Sequence, residues 1–265
     1  MPKTLIYTLS LSPSPTQLLK LLSNYLHALK ETGDSNVFLS NKALSNLRNL
    51  PNIIATKSDP GGDKSAALEQ IKQRISEAES ISSLRDTLVF SSGSPHSRIM
   101  FVGEAPGEEE EKKQEPFVGP AGKLLTKIIQ TMGMRREETY ISNIVKFRPR
   151  IDGESQGSAN RKPTKQEMQN FLPFLLDEIK IVKPELIFAL GGTAMTGLLG
   201  IESSVNSARG RIHNFRKHSV IVTYHPSFLL RSGSNSDKRK LWEDILMGMD
   251  HLSIPVSDKQ RNYFK

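Results

Sequence analysis

The chain has 265 residues, a formal net charge of +8 and no cysteine. The lack of cysteine argues against disulfides, thiolate nucleophiles and cysteine-ligated iron–sulfur clusters. No run reaches the roughly 20 apolar residues that a membrane span needs. The length allows one good-sized core with an appendage, and the positive charge favours an anionic partner, of which nucleic acid fits best.

The first 62 residues differ in pattern from the rest. Five leucines recur there at helical spacing, which predicts an amphipathic helix: Leu18, Leu19, Leu22, Leu26 and Leu29. Pro51, Pro60 and Gly61-Gly62 then mark a linker. We therefore predict an N-terminal helical extension over residues 1–62 and a main domain over residues 63–265.

In the main domain, short apolar runs alternate with amphipathic segments. The runs at 99–102, 140–145, 185–190 and 219–223 are predicted strands. Strands that alternate with helices indicate a mostly parallel sheet covered on both faces. The expected fold class is α/β, a three-layer α/β/α arrangement around a central four-stranded sheet.

A polar or glycine residue lies at or near the carboxyl end of each of these strands: Glu104, Asn143, Gly191 and His225. In a parallel sheet the carboxyl ends of the strands share one edge, and ligands bind there. The alternative for residues 98–122 taken alone is an ordinary strand-turn-helix unit, because glycine-rich turns are common. Convergence of four such positions favours a site.

Each candidate residue also has a structural interpretation. A lone histidine is more often structural than catalytic, but His225 precedes Pro226, which stiffens the turn. The amide of Asn143 either bonds to neighbouring backbone or reads the edge of a base. Phe117 suits a core, although it lies next to the turn at Gly119.

Two basic segments, 146–165 and 209–217, are predicted loops that flank the same edge, and Arg231 follows it. Such charges are usually solvated faces. Their position here favours a groove that binds phosphates.

Three motifs together resemble family 4 of the uracil-DNA glycosylase superfamily, the branch that usually contains an iron–sulfur cluster. The matching segments are Gly103–Gly107 with Pro116–Leu125, Tyr140–Lys146 with Arg148-Pro149, and Thr223–Arg231. Leu190-Gly191 and Arg209-Gly210 match weaker signatures. The resemblance covers about residues 65–250.

The resemblance implies an enzyme that flips uracil out of DNA and hydrolyses its N-glycosidic bond. The catalytic residues would be Glu104 and His225. The base would contact Gly103, Ala105, Phe117 and Asn143, and the DNA would contact Arg148, Arg150, Gly191, Ser227 and Arg231. We also expect a monomer in the cytoplasm, associated with the nucleoid through DNA and not with a membrane.

The chain departs from the family pattern at the metal ligands. Phe147 and Phe171 stand where two cluster cysteines would be, and the other two fall near Ser76 and Glu79. We expect no cluster and no other metal or cofactor, with Phe147 and Phe171 packed together instead. An insertion, Ile151–Ala159, is expected to form a mobile loop beside the DNA groove. It holds no histidine, so the covalent sugar trapping of one subfamily is not indicated.

Two other functions stay open. The chain could be a module or scaffold that binds damaged DNA without cutting it, although binding alone would not require Glu104, Asn143 and His225 together. It could also be a nucleotide-binding domain that uses Gly191-Gly192 for phosphate, but the usual glycine-rich phosphate motifs are missing.

Overall fold

The computed structural model describes residues 63–78, 81–151 and 156–264. The predicted extension over residues 1–62 lies outside these ranges, as does Glu79. Among the described helices, none combines the length and the apolar character that a bilayer crossing requires.

Helices and strands alternate along the chain, with one 3₁₀ turn at Arg136–Glu138. The strands are β1 (Leu84–Leu88), β2 (Ser92–Gly93), β3 (Ile99–Gly103), β4 (Tyr140–Asn143), β5 (Phe147–Pro149), β6 (Leu186–Leu190), β7 (Ile212–Phe215) and β8 (His218–Thr223). The helices are α1 (Lys64–Ser76), α2 (Glu108–Lys113), α3 (Pro120–Thr131), α4 (Lys165–Val182), α5 (Gly192–Leu199), α6 (Val205–Ala208), α7 (Pro226–Ser232), α8 (Asn235–His251) and α9 (Asp258–Arg261).

The main sheet has six strands in the order β2-β4-β3-β6-β8-β7. Its four inner strands are the predicted ones and run parallel, so the α/β class is confirmed. Two short strands extend this sheet antiparallel at its edges, β2 beside β4 and β7 beside β8. A separate small sheet pairs β1 with β5.

Strand β7 corrects the prediction that residues 209–217 form only a loop. Its residues alternate between exposed and half-buried, from exposed Ile212 to half-buried Phe215. Such alternation is typical of an edge strand with one solvated face. Cations lie on both sides of this short strand, so a prediction based on apolar runs did not identify it.

The inner strands are apolar throughout because both faces of the sheet are covered. Met100 and Val102 point into one core cluster with α1, α4 and α5, and Ile99 and Phe101 point into a second cluster with α3 and α8. Helix α8 approaches closely, since a Cβ on Gly248 would lie 2.4 Å from the Phe188 ring. This packing fixes the sheet on both sides.

The strand register aligns the ends that carry the candidate residues. Gly103 of β3 lies opposite Asn143 of β4, and Leu190 of β6 lies opposite Thr223 of β8. The segments that follow these four residues therefore leave the sheet at one edge.

Candidate active site

A cleft of about 900 Å³ opens at the carboxyl edge of the sheet. It brings together eight of the eleven predicted site residues: Glu104, Ala105, Phe117, Asn143, Gly191, His225, Ser227 and Arg231.

Asn143 presents an unpaired acceptor at the end of β4. The residue is 3% exposed, and its Oδ1 atom has no hydrogen-bond partner among the described residues. Gly103 makes this placement possible, because a Cβ there would lie 2.4 Å from Asn143 Oδ1 and 2.4 Å from Phe117 Cζ. A buried acceptor without a partner is costly, which favours a ligand that donates to it.

Phe117 closes the cleft beside Asn143 and is held there by an unusual backbone. Its φ is +56°, in the left-handed region that a bulky residue rarely adopts. Gly122 accommodates the turn, since a Cβ on it would lie 1.9 Å from the Phe117 carbonyl oxygen. The Glu110 carboxylate accepts from the N–H groups of Val118 and Gly119 at 3.0 and 2.8 Å. The ring position is therefore fixed by its neighbours.

Glu104 is half-buried directly after β3 and is held by α5. Thr193 Oγ1 donates to Glu104 Oε2 at 2.6 Å. Burial raises the pKa of the Glu104 carboxyl above its ordinary value, and the Thr193 bond and the charges of Lys162 and Arg231 oppose part of that rise. A carboxylate with a raised pKa next to a cleft is suited to general-base work.

His225 faces Phe117 across the cleft, with the ring centroids 5.6 Å apart. Its Nδ1 accepts from the Ser227 backbone N–H at 3.2 Å and bonds to Ser227 Oγ at 2.8 Å. A backbone N–H only donates, so the neutral ring carries its proton on Nε2. Burial, with Arg231 contributing, lowers the pKa of His225 to about 4. At neutral pH the imidazole is therefore an uncharged donor.

The cations at the cleft are not all the predicted ones. Lys162 and Arg231 are exposed side chains that line it. Arg148 is 2% exposed, and its guanidinium donates to Glu111, Asn160 and two carbonyl oxygens. Arg150 donates to Leu84 O and lies outside the cleft lining. Arg148 is therefore buried and bonded within the fold, and Arg150 lies outside the cleft lining. The predicted contacts of these two residues with DNA stay predictions.

Arg148 instead anchors the described end of the insertion. Its Nη2 donates to Gly157 O at 2.7 Å and to Ala159 O at 2.9 Å. Ser158 and Asn160 thereby line the cleft. Residues 152–155 of the predicted mobile loop lie outside the described ranges.

Phe147 and Phe171 pack together as predicted, with centroids 5.6 Å apart. Phe174 lies 6.2 Å from Phe171, and Arg74 near the end of α1 lies over the Phe174 ring. These four side chains form what we call the aromatic junction. It offers no thiolate, and no group of three or more potential metal ligands occurs in the described part of the chain. The residues present do not fit a four-iron cluster, whose ligands are cysteines.

Sequence reasoning missed Thr193 and Glu110 as parts of this site. Thr193 directly follows the Gly191-Gly192 turn, a position at the same sheet edge that could have marked it. The two bonds that the Val118 and Gly119 N–H groups donate to Glu110 have no sequence signal, because they depend on how two segments fold together.

An unpaired amide oxygen, an uncharged imidazole and a half-buried carboxylate around a cleft beside exposed cations meet the needs of an enzyme of the DNA glycosylase class. Comparison with known proteins agrees. A family model described as the uracil DNA glycosylase superfamily matches residues 90–246. A type-4 uracil-DNA glycosylase of Thermotoga maritima is 44% identical over 163 residues, 61% of this chain and 81% of the relative. One of Sulfurisphaera tokodaii is 34% identical over 209 residues, 75% and 90% of the two chains. The chain belongs to the uracil-DNA glycosylase superfamily.

Proposed function

We propose that this enzyme excises uracil from DNA by hydrolysing the bond between uracil N1 and the sugar C1′. The observation that carries the proposal is the buried, unpaired Oδ1 of Asn143 at a cleft wall shared with Phe117. The type-4 relatives support the same substrate by their names.

Recognition of the base would use the Asn143 amide. Its Oδ1 accepts from uracil N3–H, and its Nδ2 donates to uracil O4. Cytosine reverses this pattern, because it has an acceptor at N3 and an amine at C4. A site that leaves buried polar groups unpaired with the wrong base discriminates strongly. Phe117 would stack on the flipped ring.

Bond cleavage moves the electron pair of the N1–C1′ bond to uracil and leaves positive charge on the sugar. His225 Nε2–H would donate to uracil O2 and stabilise the anion as it forms. The attacking water adds its oxygen to C1′. Glu104 would orient this water and take its proton.

The rim of the cleft would bind the DNA. Lys162 and Arg231 would hold phosphates. Leu230 is 52% exposed and Phe228 is 36% exposed, and both line the cleft on α7. Large apolar side chains at such a rim would fill the gap that a flipped base leaves in the stack.

We further propose that the enzyme works without an iron–sulfur cluster and as a monomer. The lack of any cysteine in the chain and the contact between Phe147 and Phe171 support the first point. Stoichiometric iron in the purified protein would contradict the proposal that the enzyme works without a cluster.

The deciding experiment is a single-turnover assay with excess enzyme on oligonucleotides that hold uracil opposite guanine, opposite adenine, or unpaired. Free uracil and an alkali-labile abasic site are the expected products. Matched oligonucleotides with cytosine or thymine at the same position are the controls. Tight binding of uracil-containing duplex without any release of base would instead identify a binding module.

A further inference from the structure

A pair of opposite charges lies behind Asn143, outside the cleft. The side chains of Lys146 and Glu178 are both 0% exposed, and Lys146 Nζ lies 2.5 Å from Glu178 Oε1. Neither residue lines the cleft, and no step of the proposed reaction uses them. Replacing such a pair with apolar residues is often neutral or stabilising, so stability alone is a weak reason for its presence.

The other hydrogen bonds of the Lys146 ammonium are to the last two residues of β4. It donates to the main-chain oxygen of Asn143 at 2.9 Å and to Ser142 Oγ at 2.5 Å. It also lies 5.9 Å from the centroid of the Phe90 ring. The ammonium thus holds the Asn143 backbone from the side opposite the cleft.

Glu178 joins the same strand to helix α4. Its Oε2 accepts from Ser142 Oγ at 2.9 Å and from Tyr140 Oη at 3.1 Å. Tyr140 and Ser142 lie on one face of β4, because side chains alternate along a strand. The pair therefore fixes the position of β4 relative to α4.

The backbone just after Asn143 is held from the front as well. The Ile144 N–H donates to Gly103 O at 3.0 Å, and the Val145 N–H donates to Glu104 O at 3.1 Å. The Asn143 Oδ1 has no such partner in the described part of the chain. The direction of its carboxamide accordingly depends on the backbone that these bonds and Lys146 fix.

We propose that the Lys146–Glu178 pair is a positioning device for Asn143, which sets how tightly and selectively the pocket holds uracil. The inference rests on the proposed function, because it concerns the same pocket. Lys146 and Glu178 do not touch the base. They act through Asn143, whose amide must meet two atoms of a rigid ring within tenths of an ångström.

The test replaces the whole polar set with apolar residues in S142A/K146M/E178L. Tyr140 keeps its bond to Ser91 Oγ at 2.5 Å, so no polar side chain around the replaced set is left alone. The Asn143 main-chain oxygen loses its Lys146 donor, which is the contact under test. We expect a folded protein whose single-turnover uracil release falls about 10-fold or more, since small misplacements of a recognition group are costly. Inhibition by free uracil should weaken by a similar factor.

The matched control is D177N, which removes the Asp177 charge from its ion pairs with Arg74 at 3.2 Å and Lys180 at 2.9 Å on the same helix. It should leave both measurements unchanged. The second readout is a double-mutant cycle: in an N143A background the triple variant should lose less than about twofold, because coupled residues are not additive. An independent, additive loss in that background would show a general structural role and overturn the proposal.

If the triple variant does not fold, K146M/E178Q decides, because it removes both charges and the bond from Lys146 to the Asn143 main-chain oxygen, while the amide can still accept from Ser142 and Tyr140. An unchanged uracil inhibition constant for a folded K146M/E178Q would then overturn the inference. Failure of the wild-type enzyme to release uracil would overturn the proposed function itself. A wild-type enzyme that excises uracil and a folded triple variant that does so equally well would overturn only the role of the pair.

Discussion

The cleft wall and the aromatic junction differ in whether their side chains have favourable contacts within the fold. At the cleft, Asn143 Oδ1 is left buried without a partner and Phe117 holds a left-handed backbone. At the junction, Phe171 packs against both Phe147 and Phe174, and Arg74 lies over the Phe174 ring. The unpaired acceptor and the left-handed backbone at the cleft lower the stability of the fold, whereas the packing at the junction raises it.

The two regions also differ in how they follow the family pattern. The cleft keeps the residues by which the chain resembles family 4, whereas the junction has aromatic rings where that resemblance implies metal ligands. A structural part can be rebuilt with other chemistry as long as it still holds its neighbours. A group that reacts with the substrate cannot be replaced in this way, because the chemistry of the substrate determines which group is needed. Mutations in the two regions should therefore affect different quantities.

The largest effect is expected at His225. His225→Ala removes the donor to the leaving base and should lower the single-turnover rate by about 10²-fold or more. It also removes the acceptor for the Ser227 N–H at the start of α7, which should lower the free energy of unfolding by about 0.5–2 kcal/mol. The control is His251→Ala, because His251 is exposed on α8 and bonds to Ser219 Oγ. A near-normal rate for His225→Ala would remove this residue from the mechanism.

The pH dependence should be set by Glu104. Burial raises the pKa of its carboxyl, so the working carboxylate is lost on acidification at a higher pH than for an ordinary glutamate. Thr193→Val removes a bond that favours the ionised form and should shift the acid limb of the rate profile further upward. The residual activity of Glu104→Gln should lack this limb and stay level down to the pKa of His225, about 4. An unshifted limb in Thr193→Val would contradict the assignment.

The junction should carry stability and not rate. Phe171 is 5% exposed, and Phe171→Ala should reduce the free energy of unfolding by about 3–5 kcal/mol. Urea unfolding measures this loss, and excision at a temperature where the variant is folded should stay within about twofold of wild type. Phe171→Leu is the matched control and should recover much of the stability. A large rate loss in folded Phe171→Ala would show that the junction acts on the site.

The smallest effects are expected from single cations. Lys162→Ala should weaken duplex binding for all sequences alike and reduce the slope of log affinity against log salt by about one. Arg150→Ala is the comparison, because Arg150 donates to Leu84 O away from the cleft. Equal changes in slope for the two variants would show that the DNA path extends past the cleft to β5.

The parallel sheet and the edge that carries the site could be predicted from the sequence because both depend on local patterns. The four predicted runs match β3, β4, β6 and β8, which end at Gly103, Asn143, Leu190 and Thr223, and the order of strands and helices makes them parallel. Strand β7 escaped prediction because its stability comes from pairing with β8 and not from its own composition.

The roles of the arginines could not be predicted, because they depend on three-dimensional neighbours. Arg148 and Lys162 both belong to a basic segment, yet the first is buried against Glu111 and the second is exposed at the cleft. The sequence shows the charges but not which of them already have partners within the fold.

The two edge strands of the main sheet affect the tendency of the protein to aggregate at high concentration. One edge strand is β2, with two residues. The other is β7, with four residues, and Arg211, Arg216 and Lys217 lie beside it. Short edge strands and neighbouring cations discourage a second molecule from adding its own strand to the sheet. The same positive charges that favour nucleic acid thus also help to keep copies of the protein apart.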